Sequence, residues 1–214
     1  MSGFANKDGG AVALGLVKVI QKNKEYLSEI DGAIGDGDHG VNMNKGFAMF
    51  KERTDLGACG LDQALKALGR ILLTEIGGSM GPIYGTFFLE MSKAIAGREQ
   101  VDAVAFSGML QAALAGVQSL GDAKAGDKTM LDALIPGSEA FARALAGGSD
   151  FPACLDAMEK AAKAGWESTK DMEAKIGRAS RLGKRSIGVL DAGATSCWLI
   201  LKAFADGMRP LLRG

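Results

Sequence analysis

Aromatic residues, cysteines, net charge and long apolar runs are all scarce in this chain, and each scarcity removes a class of explanation. Aromatics make up only 6% of the 214 residues, and Ala, Leu and Met dominate an apolar fraction of 47%. That composition points to a helical core rather than a β-sandwich. Cys59, Cys154 and Cys197 are odd in number and far apart, which excludes a disulfide framework and a zinc motif and leaves small buried side chains. The 25 basic and 25 acidic residues cancel, so the chain lacks the basic face that nucleic-acid binding needs. No apolar run reaches the ~18 residues of a membrane span, and the N-terminus lacks a basic region followed by an apolar stretch. A soluble cytoplasmic protein is expected, with no membrane partner. No Pro/Ser-rich linker or charge block divides the chain, so residues 1–214 read as one domain.

What is abundant is local acidity. Asp31, Asp36 and Asp38 crowd into eight residues, and no basic residue lies among them. Carboxylates held a few ångströms apart repel strongly once water is excluded, so such a loop either stays solvated or binds a hard cation. The interleaved Gly32, Gly35, Gly37 and Gly40 favour the cation, because they let the backbone approach a ligand closely. An EF-hand would need a glutamate at the twelfth position, which counting from Asp36 is Phe47. Three carboxylates with open coordination positions suit magnesium, which keeps water and is commonly completed by substrate phosphates.

Helical periodicity fills most of the remainder and predicts eight helices. The first is marked by Val12, Leu16, Ile20 and Leu27, the second by Met43, Phe47 and Phe50, and the third by Leu61, Leu65, Leu68 and Leu72. Tyr84, Phe87, Phe88 and Met91 mark the fourth; Phe106, Leu110 and Val117 the fifth; Leu134, Phe141 and Leu145 the sixth. Pro136 is expected to kink or delay the sixth. Asp150 or Ser149 caps a seventh carrying Leu155, Met158 and Trp166, and Trp198, Leu199 and Phe204 lie in the eighth. No segment alternates convincingly with the period of a strand.

The glycine-rich segments 31–40, 77–81, 121–127 and 177–193 each follow an odd-numbered helix. In an up-and-down array those four connections must share one end. Their contents fit a phosphate site. Gly77, Gly78 and Ser79 precede a helix and offer free N–H groups and a hydroxyl. The fourth segment brings Arg178, Arg181, Lys184 and Arg185 beside Lys175, then Asp191-Ala192-Gly193; Lys128 adds a further cation ahead of Thr129 and Met130.

Four stretches, in order, resemble the nucleotide-binding L subunit of bacterial dihydroxyacetone kinase. They are Ile34-Gly-Asp-Gly-Asp-His-Gly-Val-Asn-Met43, Gly77-Gly-Ser-Met-Gly-Pro-Ile-Tyr-Gly-Thr86, Gly126-Asp-Lys-Thr-Met130 and Gly177-Arg-Ala-Ser-Arg-Leu-Gly-Lys-Arg-Ser-Ile-Gly188. The resemblance implies an all-α fold, a closed up-and-down antiparallel barrel of eight helices with the nucleotide at one end. It implies that Asp31, Asp36 and Asp38 hold two Mg2+ ions on the phosphates of ADP or ATP, with His39 and Arg178 in the catalytic set. His39, Gly40, Val41, Asn42, Gly78, Ser79, Met80, Gly121, Thr129, Met130, Arg178, Asp191, Ala192 and Gly193 would line the nucleotide. Two departures stand out: the family pattern has serine where this chain has Met80, and proline where it has Ala192.

The same resemblance implies partners. A separate K subunit would bind dihydroxyacetone covalently through a histidine, whereas the one histidine here, His39, sits in the acidic loop. In one class of relatives resident ADP is re-phosphorylated by a phosphohistidine-carrying M subunit of the sugar phosphotransferase system, drawing on phosphoenolpyruvate. In another, ATP enters and ADP leaves, and some two-subunit members act on tetrulose. A stand-alone 214-residue chain fits the first class better, because many ATP-dependent members fuse both halves. A homodimer is compatible with either. The rival from a different class is a non-catalytic, nucleotide-sensing helical module.

Overall fold

The computed structural model describes residues 3–212 and is mostly helical. Its α-helices are α1 (Gly10–Lys22), α2 (Lys24–Ile34), α3 (His39–Arg53), α4 (Leu61–Glu75), α5 (Met80–Ala94), α6 (Ala103–Gln118), α7 (Leu131–Ala146), α8 (Phe151–Ser168) and α9 (Ala192–Leu211). Each helix from α3 onward packs on the next, α9 packs back on α1, and α3 packs on both α1 and α2.

Three elements differ from the periodicity. The first helix is broken at Asn23, whose backbone leaves the helical region and whose side-chain amide donates to the Val19 carbonyl at 2.8 Å. The apolar phase continues across the break, so Val12, Leu16, Ile20, Leu27 and Ile30 all face the core. α1 and α2 share neighbours in α3 and α9. The second difference is a short ribbon. Strand β1 (Gly3–Ala5) pairs antiparallel with β2 (Gln100–Asp102), with Phe4 opposite Val101. Three-residue strands are too short to show alternation, so no pattern could have revealed them.

The third difference lies at Pro136, through which α7 runs from Leu131 without a late start. Proline has no N–H to give the Asp132 carbonyl. Gly165 of α8 packs against that carbonyl and against the Pro136 ring, where a Cβ would collide with both. A glycine on the neighbouring helix thus fills the notch made by the proline. Asp102, Asp150 and Asp191 cap α6, α8 and α9, accepting from Ala105, Ala153 and Ala194 at 2.8, 2.9 and 2.6 Å.

The core is a single cluster running from Phe4 to Met208. At one pole Phe106 of α6 meets Phe141 of α7, Phe151 of α8 and Phe204 of α9, with ring centroids 5.3 to 5.9 Å apart. All four rings are buried, so truncating the central one leaves a cavity enclosed by three helices. Phe106→Ala should therefore lower the unfolding free energy by about 3–5 kcal/mol in denaturant melts; a loss under about 1 kcal/mol would show that this cluster does not anchor the helices.

Candidate active site

Asp31 lies in the last turn of α2, Asp36 in the connecting loop, and Asp38 is the residue before α3. Gly37 takes φ +75° between the two loop aspartates, and Gly35 donates to the Asp31 carbonyl at 2.5 Å, which folds the chain tightly back. The result is that one carboxylate oxygen from each aspartate lies within 4.8 Å of the others. Asp31 is half-buried and its Oδ2 accepts the His39 N–H at 3.3 Å, while Asp36 and Asp38 face solvent. Three convergent oxygens on an open loop are the donor set that a hard divalent cation takes while keeping water or ligand oxygens in its remaining positions. Across from them Arg178, in a 3-10 segment (Arg178–Ser186), forms an ion pair with Asp36.

The aspartates form one wall of a cavity of about 600 Å3, within the size range of small-molecule sites. All four glycine-rich connections contribute to it, from residues 31–42, 77–84, 117–131 and 176–193. Gly78, at φ +71°, turns the chain into α5 and leaves Ser79 exposed at its start. Met80, at the position of the first departure, is 9% exposed and joins the core, so the hydroxyl at this helix start is that of Ser79. Asn42, Gly121, Thr129, Met130, Ala192 and Gly193 also line the space. Ile83, Leu120, Leu131 and Ile176 make part of it apolar.

Two predicted lining residues are not in the cavity wall. Val41 is 50% exposed and points away, one position round the helix from Asn42. Gly40, in the first turn of α3, is buried against α2, where a Cβ would run into the Lys24 carbonyl and lie 2.8 Å from the Ser28 backbone nitrogen, so the absence of a side chain permits close helix packing. The expected cluster of cations is also mostly elsewhere. Arg181, Lys184 and Arg185 are exposed outside the lining, Lys175 pairs with Asp127 at 3.4 Å, and the Lys128 ammonium is committed to backbone carbonyls. Arg178, paired with Asp36, is the basic side chain of the lining whose donors are not taken up by backbone carbonyls.

From His39 and Tyr84, which line the cavity, runs a hydrogen-bonded chain that periodicity could not distinguish from core packing. His39 Nε2 meets Ser196 Oγ at 2.8 Å, and Ser196 Oγ meets the Tyr84 hydroxyl at 2.6 Å. The Tyr84 hydroxyl lies 3.0 Å from the Gly193 carbonyl, to which it can donate. Burial, only partly opposed by Asp31, pushes the His39 pKa down to about 4, so the ring is neutral near pH 7. A tyrosine in the core phase of α5 needs a partner for its hydroxyl, and that requirement is the signal that this chain exists. Asp191, capping α9 beside the cavity, is pushed up to about 7, chiefly by burial and against the Ala194 N–H it accepts; Asp132 and Asp31 add to the rise and Lys128 opposes it.

Known proteins with similar sequences and folds identify the family. A family model described as "DAK2 domain" matches residues 33–206. The chain belongs to the DAK2 domain family. Among relatives of this DAK2 domain, "PEP-dependent dihydroxyacetone kinase 2, ADP-binding subunit DhaL" of Listeria innocua is 38% identical over 94% of each chain. The "PEP-dependent dihydroxyacetone kinase, ADP-binding subunit DhaL" of Escherichia coli is 37% identical, over 87% of this chain and 90% of the relative. The dihydroxyacetone kinase of C. freundii, solved with AMP-PNP and Mg2+, shares the fold at a TM-score of 0.70 and 24% identity, over 96% of this chain and 35% of that one.

The raised Asp191 pKa has a thermodynamic consequence in the DAK2 domain. Between about pH 4 and 7 the native chain holds a proton that the unfolded chain has released, so this group makes stability fall as pH rises through that window. Asp191→Asn keeps an acceptor for the helix cap and removes the titration. In urea melts the variant should gain stability relative to the parent from pH 4 to pH 7; a difference independent of pH would contradict the assignment.

Proposed function

We propose that this chain is the ADP-binding subunit of a phosphoenolpyruvate-dependent dihydroxyacetone kinase, acting with Mg2+ on a substrate held by a second subunit. The observation that carries this reading is the convergence of Asp31, Asp36 and Asp38 on one wall of the cavity, with Arg178 and the N-terminal turn of α5 facing the same space. The names of relatives covering nearly the whole chain point the same way. The return of α9 onto α1 supports reading the fold as a closed up-and-down barrel of eight rods, with α1 and α2 counted as one, and the single core supports one domain over 1–214.

Asp31, Asp36 and Asp38 would hold the Mg2+, in our reading two ions, and bound magnesium supplies charge neutralisation on the phosphate oxygens. The chain's own groups do the positioning. Arg178 directs a planar set of N–H donors at the phosphates from across the mouth. Gly78, Ser79 and Met80 present unpaired N–H groups at the start of α5, where phosphate is favoured. Met130, Leu131 and Leu120 offer apolar surface to a base, and their burial of the ligand limits the access of water. Phosphoryl transfer is mainly such positioning and electrostatics.

The acceptor sugar, bound on the K subunit, would meet the γ-phosphate at the open loop end. A phosphohistidine-carrying M subunit would restore the phosphoryl group on resident ADP in the cytoplasm.

Asp36→Ala and Asp38→Ala are expected to weaken Mg2+-dependent ADP binding on the order of a hundredfold, about 2.8 kcal/mol, in titration calorimetry. The parent chain, charged with ATP and mixed with a dihydroxyacetone-binding subunit, should form dihydroxyacetone phosphate. Unchanged affinity in both variants would overturn the metal assignment, and nucleotide binding without transfer to any ketose would favour the sensing module.

A further inference from the structure

Lys128 is the one non-glycine residue with a left-handed backbone among the described residues, at φ +62°, and its side chain is almost wholly buried at 2% exposure. The ammonium donates to three main-chain carbonyls, those of Met172 at 3.1 Å, Ser186 at 2.5 Å and Val189 at 2.7 Å. Three acceptors require three N–H donors, which only the charged ammonium provides. The unusual backbone is held from outside the lysine. Asp132, itself buried, accepts the N–H of Gly126 at 2.5 Å through one oxygen and that of Thr129 at 2.7 Å through the other. That turn therefore aims the Lys128 side chain inward, where exposed lysines at loop tips do not point.

The three carbonyls belong to the two ends of one segment. Residues 172–190 form an arm whose 3-10 turns are interrupted at Gly183, and only Ala174 and Ser186 within it are buried. So little apolar burial does not by itself fix a backbone. Met172 lies at the beginning of the arm, Ser186 and Val189 at its end, and Arg178 sits between them at the cavity mouth. Further ties run alongside: the Lys175 N–H donates to the Asp127 carbonyl at 3.2 Å, and the Gly188 N–H to the Lys170 carbonyl at 2.7 Å.

We infer that Lys128 is a positioning residue, whose ammonium clamps both ends of the 172–190 arm and thereby holds Arg178 over the phosphate end of the cavity. The inference rests on the nucleotide-binding reading given above. Lys128 does not touch the nucleotide in this account; it determines whether the arm presents its arginine. The arm is thereby ordered before the ligand arrives, so that its ordering entropy is not lost on binding.

The test compares the parent with Lys128→Ala and Lys128→Met by titration with Mg2+-ADP, thermal melting and amide hydrogen exchange. Both variants should bind ADP at least tenfold more weakly, with faster exchange confined to residues 172–190. Lys128→Ala leaves room for the missing atoms, and n-propylammonium should restore its ADP affinity while tetramethylammonium, which has no N–H, should not. Lys128→Met retains the apolar stem, and it decides the matter should the alanine variant not fold. ADP affinity within twofold of the parent in a folded variant overturns the role of Lys128 alone. Exchange that rises throughout a folded variant, or equal rescue by both cations, also overturns it. A parent chain that binds no ADP overturns the nucleotide reading and this inference together.

Discussion

One carboxylate oxygen from each of Asp31, Asp36 and Asp38 lies within 4.8 Å of the others, and the mutual repulsion of these groups, eased by solvent and by Arg178 beside Asp36, makes this wall of the cavity a natural place for a cation. The aspartates are not brought together by distant elements. They sit on one short connection between α2 and α3, made tight by Gly37, so the cluster is a local property of the chain. What the fold adds is everything opposite them. Helix packing brings three more glycine-rich connections beside them, and a cavity forms where the four meet. The aspartates provide the negative wall, the start of α5 and Arg178 the positive one, and a charged, phosphate-bearing ligand is suited to the space between.

The distribution of cations shows how strongly context decides the use of a side chain. Lys128, Lys175 and Arg178 all lie in glycine-containing connections, yet they serve different ends. Lys128 is turned inward by its left-handed backbone and gives its donors to carbonyls. Lys175 pairs with Asp127 beside that turn. Only Arg178 remains directed at the acidic loop. A guanidinium suits this position because it remains charged and can bridge two oxygens at once.

Helix placement and the identity of the acidic loop were legible because they depend on local signals: apolar residues at helical spacing, and carboxylates interleaved with glycine. The gathering of the loops at one end was legible from their order alone. The break at Asn23 was not, since the apolar phase passes through it unchanged, nor was the β1–β2 ribbon, which pairs residues almost a hundred positions apart. Gly40 and Val41 read as site residues because they adjoin His39 and Asn42, but a helix turns consecutive side chains to different faces. Tyr84 in the core phase of α5 signals that its hydroxyl has a partner, but that the partners are Ser196 and His39, and that Lys128 is committed to backbone carbonyls, depends on tertiary contacts with no sequence signature. Met80 was legible as a departure, and only the structure shows its side chain in the core with Ser79 left at the helix start.

The nucleotide content of the freshly purified chain, dialysed extensively against Mg2+, denatured and resolved by chromatography, tests the central claim most directly. Close to one ADP per chain is the predicted result, as expected of a subunit that keeps its nucleotide and has it re-phosphorylated in place. A chain that comes out empty and takes up neither ADP nor ATP when Mg2+ is supplied would contradict the account.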